Sequence, residues 1–170
     1  MAWSKFLLKA ASYLADKEDI IFIIIPKRGR TKLNLDEIDK KRNIIFLDEV
    51  PFNDLPKYIQ AADIWCSGFG VHPRGERTLS STLIQALAVG KPVITSPNSE
   101  DKRKILKDGE AVFFVKQEDA KAIADKILDC KVNYETAKKV GENARLLALE
   151  LFTTKKLDEV LPKIFRDKHS

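Results

Sequence analysis

The sequence predicts an α/β fold with a doubly wound parallel sheet that carries helices on both faces. Short apolar strands alternate with segments of helical period along the whole chain, as in successive βα units. The run over 20–25 (IIFIII) is continuously apolar, which is typical of a strand buried on both faces. Length and composition agree, because 170 residues with 44% hydrophobic residues suit one domain with a sizeable core.

The first part of the chain alternates helix and strand. Residues 1–16 have helical period, with their apolar side chains on one stripe. The buried strand over 20–25 follows, and then a turn over 26–31 that contains three basic residues. The later segments are predicted, in order, as a short helix over 35–41, a strand over 44–47, a helix over 54–62 and a strand over 63–66.

The second part begins with a loop over 67–75 that contains three glycines. A helix over 79–89 ends where Gly90 can cap its C-terminus and Pro92 stops it. The remaining elements are predicted as a strand over 92–95, a helix over 101–107, a strand over 111–115, and helices over 120–128, 134–151 and 154–165. Residues 1–165 therefore form one domain, and 166–170 are expected to be a frayed tail.

Composition limits the class of function. The net charge of +5 suits an anionic ligand or an anionic membrane surface, and it is also common in ordinary soluble proteins. Basic residues are interleaved with acidic ones, which argues against nucleic-acid binding. The two histidines and two cysteines have no metal-ligand spacing, so we expect no metal and no cofactor.

The sequence also indicates a compartment. Cys66 lies in an apolar run, which is typical of a buried thiol in a reducing environment. No apolar stretch is long enough to span a bilayer, and the N-terminus lacks the pattern of a signal peptide. We therefore expect a cytoplasmic location.

The glycine-rich loop and the helix after it form the main candidate site. Ligands of open parallel sheets bind beyond the carboxyl ends of the strands, and this loop follows a strand. Glycines such as Gly70 let the backbone approach a ligand, and the free N–H groups of a helix N-terminus attract phosphate. The charged and hydroxyl side chains available there are Arg74, Arg77, Thr78, Ser80 and Ser81. The alternative is a surface loop with ordinary hydroxyl caps.

Two residues of the same loop are candidates for chemistry. His72 can polarise a substrate oxygen, and Glu76 supplies a carboxylate. The alternatives are a solvated histidine and a simple surface charge. Two further loops carry polar residues, but 26–31 is more typical of a solvated turn, and 95–102 can serve only to cap a helix through Ser99 or Asp101.

Two segments of the chain resemble a known family. These are 44–66 (IIFLDEVPFNDLPKYIQAADIWC) and 82–95 (TLIQALAVGKPVIT), with further similarity at 108–110 (DGE) and 141–145 (GENAR). Together they resemble the Rossmann-like C-terminal domain of retaining glycosyltransferases of the GT-B fold, in family 4, the glycosyl transferases group 1. The resemblance extends from residue 1 to about 165.

The resemblance implies transfer of a sugar from a nucleoside diphosphate to an acceptor, with retention and without a metal. In such enzymes the C-terminal domain binds the donor, and two glutamates eight residues apart contact its sugar and its ribose. Here the second position is Gln85, which keeps hydrogen-bonding capacity but lacks charge. Counting back eight residues gives Arg77, with Glu76 one residue away.

The resemblance therefore implies roles for the loop residues. Glu76 or His72 approaches the donor sugar, and Gln85 faces the ribose. The substrate-binding set comprises Gly70, Arg74, Arg77, Thr78, Ser80, Ser81 and Gln85.

The chain departs from the family by beginning at the helix that follows the family's first central strand. In a sheet of order 3-2-1-4-5-6, this leaves an unpaired seam. The expectation is a fragment, a chain whose partner supplies the acceptor-binding N-terminal half, or a rearranged sheet. Many members of the family act on lipid-linked acceptors, which suggests peripheral contact with the inner membrane face through Trp3, Lys5, Phe6 and Lys9. The alternative is that this stripe of the helix packs on the core.

Two other functions stay open. One is a non-catalytic partner subunit or remnant that binds nucleotide sugar weakly or only braces another chain. The other is a different doubly wound module, such as a response-regulator-like or flavodoxin-like protein, although the acidic pocket or flavin loops expected of these are missing from the sequence.

Overall fold

The computed structural model describes residues 2–25, 43–47, 49–69 and 79–153. The predicted helices over 35–41 and 154–165, the basic turn over 26–31 and the tail lie outside these residues. The elements, in order, are α1 (Ala2–Tyr13), β1 (Phe22–Ile24), β2 (Ile44–Phe46), α2 (Leu55–Ala61), β3 (Trp65–Cys66), α3 (Ser81–Val89), β4 (Val93–Thr95), α4 (Glu100–Ile105), β5 (Phe113–Phe114), α5 (Ala120–Val132) and α6 (Tyr134–Leu151). Each corresponds to an element that the sequence predicts.

The strands pair in parallel, as predicted, and the described ones form two sheets. The first contains β1 and β2, with Phe22 paired to Ile44. The second has the order β3-β4-β5, with Trp65 paired to Val93 and Ile94 to Phe113. Parallel pairing requires crossover connections. Among the described residues, α3 lies between β3 and β4, and α4 lies between β4 and β5.

The boundary between the two sheets lies between β1 and β3, which is the position where the sequence predicts an unpaired seam. In β1, the Phe22 N–H donates to the Asn43 carbonyl just before β2 at 2.8 Å, and the Ile24 carbonyl accepts from the Leu47 N–H just after β2 at 3.0 Å. The peptide groups of Ile23 therefore face away from β2. In β3, the N–H groups of Trp65 and Ser67 donate toward β4. The peptide groups of Cys66, which lies between them, therefore face away from β4. The outward edges of β1 and β3 thus lack a strand partner among the described residues.

Two apolar cores lie on opposite faces of the three-stranded sheet. Val93 and Ile94 are neighbours in β4 and both fully buried, but their side chains point to opposite faces. Ile94 belongs to the core beneath α1 and α5, whereas Val93 belongs to the core beneath α2, α3 and α6. Helices therefore cover both faces, which confirms the doubly wound class.

The interpretation of 20–25 as a strand buried on both faces is wrong. Phe22 and Ile24 are buried in the first core, but Ile21 and Ile23 are 59% and 53% exposed. Ile45, the partner of Ile23 in the register, is also exposed. Residues of α1 and α5 pack on one face of the two-stranded sheet, whereas Ile21, Ile23 and Ile45 on the other face are exposed.

A glycine ends α3 as the sequence predicts. Gly90 adopts the left-handed conformation, with φ of 83°, which glycine tolerates at no steric cost. Its N–H donates to the carbonyls of Ala86 and Leu87 at 3.2 and 2.9 Å. This cap directs the chain back toward β4 and fixes where that strand begins.

Candidate functional site

The carboxyl ends of β3 and β4 lie side by side and define the edge where ligands bind in open parallel sheets. Segment 67–69 leaves β3, and the Ser67 N–H donates to the Ile94 carbonyl at 3.1 Å. The Phe69 carbonyl accepts from the Glu118 N–H at 3.0 Å, which ties this segment to the chain after β5. Backbone hydrogen bonds therefore fix the start of the glycine-rich loop.

Five buried polar side-chain atoms lack a hydrogen-bond partner among the described residues, and two of them lie at this edge. Ser67 Oγ follows β3 and Ser96 Oγ follows β4, whereas the other three are Gln85 Oε1 in the middle of α3, Trp65 Nε1 in β3 and Asn43 Oδ1 before β2. A buried polar atom without a partner costs about 1–3 kcal/mol, so such atoms are rare in folded proteins. The two serine hydroxyls at the strand ends are therefore available to hydrogen-bond a polar ligand.

Lys102 is a buried charged residue at this edge that the sequence pattern did not single out. It lies in α4 and is only 4% exposed. Its Nζ donates to Thr95 Oγ1 at 2.7 Å and to the Ser96 carbonyl at 2.8 Å. Burial lowers the pKa of Lys102 to about 8. The available signal was its spacing from Leu106, because residues four apart share a helix face and Leu106 is fully buried.

The start of α3 shows an ordinary hydroxyl cap. Ser80 is extended, and its Oγ accepts from the Leu83 N–H at 3.2 Å. Ser81 is exposed in the first turn. At α4, Ser99 caps through the Lys102 N–H at 3.1 Å, so the expectation of a cap by Ser99 is confirmed.

Replacing Ser80 with alanine is expected to lower the free energy of unfolding by about 1 kcal/mol, because the Leu83 N–H loses its acceptor. Urea denaturation measures the change. Ser80→Thr keeps an acceptor and serves as the control. Equal stability of Ser80→Ala and the wild type would contradict the capping role.

Most of the predicted site residues lie outside the described part of the chain. These are Gly70, His72, Arg74, Glu76, Arg77 and Thr78. Ser80, Ser81 and Gln85 lie at the start and in the middle of α3. The roles assigned to all nine residues remain predictions.

The described residues contain no group of His, Cys, Asp and Glu side chains that could hold a metal. Both thiols are free, and burial raises the pKa of Cys66 to about 12 and that of Cys130 to about 11. Such thiols are poor nucleophiles, because the thiolate is the reactive form. They therefore belong to the core and not to the site.

The first helix faces the core. Leu7, Leu8 and Leu14 are buried in the first core, and Phe6 packs against it. Lys5 and Lys9 are exposed on the same helix. Among the residues that the structure describes, no helix is both long and apolar enough to cross a bilayer.

The parallel strands and the helical layers define a doubly wound α/β domain, a fold that matches GT-B glycosyltransferase domains. Residues 4–147 match the family model described as glycosyl transferases group 1. The chain therefore belongs to the group 1 glycosyltransferase family. A search of curated protein sequences gives no significant match.

Solved structures share this fold at low sequence identity. HepE of Anabaena in complex with UDP has a TM-score of 0.79 and 16% identity, covering 97% of this chain and 46% of HepE. A glycosyltransferase from Rickettsia africae ESF-5 has a TM-score of 0.76 and 19% identity, covering 98% and 45%. The catalytic domain of cholesterol-α-glucosyltransferase from Helicobacter pylori has a TM-score of 0.65 and 20% identity, covering 86% and 89%. The chain thus spans about half the length of the first two.

Proposed function

We propose that the chain is the donor-binding domain of a retaining glycosyltransferase, which transfers a sugar from a nucleoside diphosphate sugar to an acceptor. The observation that carries the proposal is that buried polar atoms of Ser67, Ser96 and Gln85 have no partner among the described residues, in a chain of this family. HepE structures that share the fold contain UDP and UDP-glucose, which supports a nucleotide sugar as the ligand.

The site residues divide by the part of the donor that they contact. The amide oxygen of Gln85, which has no partner among the described residues, supports a hydrogen bond to a ribose hydroxyl. Glu76 or His72 approaches the sugar, and Gly70 lets the backbone come close. The residues that hold the diphosphate are Arg74, Arg77, Thr78, Ser80 and Ser81.

Stabilisation of the departing diphosphate is the main catalytic contribution. Negative charge develops on the leaving phosphate as the bond to the sugar breaks. Fixed arginine charges and backbone N–H groups aimed at that oxygen lower the barrier without reorganising during the reaction. In this mechanism the chain's own residues neutralise the charge, and no metal or cofactor takes part.

An acceptor-binding N-terminal half completes the enzyme, as part of the same polypeptide or as a partner chain. The seam between β1 and β3 supports this, because the peptide groups of Ile23 and Cys66 face away from their paired strands. A parallel strand inserted there bonds to both edges and joins the two sheets into one. HepE, at about twice the length of this chain, has room for such a half.

We place the protein in the cytoplasm, with peripheral contact at the inner membrane face. The free, buried thiols are consistent with a reducing compartment. The exposed Lys5 and Lys9 on α1 support attraction to anionic lipid headgroups.

The second candidate function is a non-catalytic partner subunit or remnant. The neutral amide of Gln85, in place of the family's second glutamate, favours it. Such a protein binds nucleotide sugar weakly or only braces another chain.

Calorimetry with UDP and GDP tests the proposal. Arg77→Ala is expected to weaken binding of the preferred nucleotide at least about tenfold, because a charge-assisted phosphate contact is lost. Arg145→Ala is the matched control, since it removes the same charge from α6, where Arg145 donates to the Ala88 carbonyl at 3.3 Å. Absence of binding by the folded wild type overturns the donor-binding role and favours the second candidate.

A further inference from the structure

We propose that the Lys102 ammonium, held at the carboxyl end of β4, binds an oxygen of the donor's diphosphate. The inference rests on the proposed function and adds a cation to the site from a second loop, beyond the glycine-rich one. It assigns the segment after β4 to phosphate binding, whereas the sequence predicted only a helix cap there.

The placement of the ammonium is the first argument. Lys102 is buried in α4, and its side chain reaches back to the end of β4, where Thr95 Oγ1 and the Ser96 carbonyl accept at 2.7 and 2.8 Å. An ammonium has three N–H donors. Two are used, so one has no partner among the residues that the structure describes. The position lies beside strand ends, where ligands of parallel sheets bind.

The second argument is the uncompensated charge. Both acceptors of Lys102 are neutral, and none of the ion pairs within the described residues includes it. Buried lysines are usually paired with a carboxylate, because an isolated buried charge is costly. An anionic ligand at this position offsets that cost.

The described groups in contact with the ammonium carry no titratable side chain. Its described neighbours at the strand ends are Gly68, Thr95 and Ser96. Desolvation is the whole cause of its lowered pKa, and no charged side chain contributes. The charged residues of α4 itself are exposed: Glu100, Asp101, Arg103 and Lys104. With a pKa of about 8, the ammonium is mostly protonated at neutral pH.

The third argument is the approach of the loop after β3. Gly68 has φ of 76°, and a Cβ atom there would lie 3.0 Å from Thr95 Oγ1 and 3.4 Å from Lys102 Nζ. The two loops therefore meet at the Lys102 ammonium, and only glycine fits at this point without strain. The unpartnered hydroxyls of Ser67 and Ser96 adjoin the same contact in sequence. Together they supply hydroxyl and ammonium groups for phosphate oxygens.

A purely structural role is the competing explanation, in which Lys102 only ties α4 to β4. Both explanations predict a loss of stability when the lysine is replaced. Only the phosphate-binding role predicts that the loss of ligand affinity depends on the ligand carrying phosphate.

The test compares UDP with uridine, which lacks phosphate, on the folded chain by calorimetry or ligand-observed NMR. Lys102→Met is expected to weaken UDP binding at least about tenfold and to leave uridine binding unchanged. Lys104→Met is the matched control, because Lys104 lies two residues away in α4 with an exposed side chain. It removes the same charge and is expected to change neither affinity.

A pH series on the wild type keeps the test independent of whether the variant folds. The ratio of UDP affinity to uridine affinity is expected to fall about tenfold from pH 7 to pH 9, as the ammonium deprotonates. The uracil ring ionises in both ligands, so the ratio cancels its contribution. Equal UDP affinity in Lys102→Met, or a flat ratio in the wild type, overturns the role of Lys102 and leaves the proposed function intact. Absence of UDP and GDP binding by the folded wild type overturns both.

Discussion

Replacing Gly141 with alanine is expected to lower the free energy of unfolding by about 3 kcal/mol. Gly141 is buried in α6, and a Cβ atom there would lie 2.5 Å from the Gly90 carbonyl oxygen and 2.8 Å from Lys91 C and Pro92 N. All three are backbone atoms at the turn between α3 and β4, so no flexible side chain can move aside. The methyl group must push α6 away from the second core.

The sign of this effect is diagnostic. At an exposed helix position, Gly→Ala stabilises a protein by about 1 kcal/mol, because alanine restricts the unfolded chain and favours helix. Glu142→Ala, at the exposed neighbouring position, is the control and is expected to be nearly neutral. Urea denaturation measures both variants. A Gly141→Ala variant as stable as the wild type would show that α6 does not pack closely on this turn.

The second large effect is a dependence of stability on pH that originates at Lys102. Burial lowers the pKa of this lysine from 10.5 to about 8 in the folded state. Between these values the unfolded chain binds more protons than the folded one, so stability rises with pH. The stability gained by deprotonation of Lys102 is fully present above about pH 10.5 and is lost as the pH falls through about 8.

The measurement is the difference in unfolding free energy between the wild type and Lys102→Met. Methionine cannot titrate, and the other lysines cancel in the difference. From pH 7.5 to 10.5, the difference is expected to shift in favour of the wild type by about 3 kcal/mol. Lys104→Met is the matched control, since it removes an exposed lysine from the same helix. A difference that does not change with pH would mean that the Lys102 ammonium is solvated.

Local patterns were sufficient to predict the elements of the fold. The helical period over 134–151 coincides with α6, and the glycine and proline signals place the end of α3 correctly at Gly90. The alternation of strands and helices was sufficient for the parallel pairing. These features depend on neighbours within a few residues, which a sequence displays directly.

Features that depend on distant contacts were not predictable. The continuous apolar run over 20–25 gives no indication that Ile23 is exposed, because cover of that face depends on elements elsewhere in the chain. The burial of Lys102 was missed for the same reason, since its acceptors belong to β4 and the segment after it. For the glycine-rich loop, the family resemblance gives roles for Arg77 and Glu76 but no geometry.

The division between the two sheets has a consequence for how the domain can be assembled. The loops after β3 and β4 are positioned by hydrogen bonds within the three-stranded sheet, and among the described strands none of those bonds crosses to β1. A strand from another segment can therefore insert between the two sheets, or dissociate from them, without breaking a hydrogen bond between the described strands. Separation of the two sheets at this boundary interrupts side-chain packing and preserves the backbone hydrogen bonds that position the loops after β3 and β4.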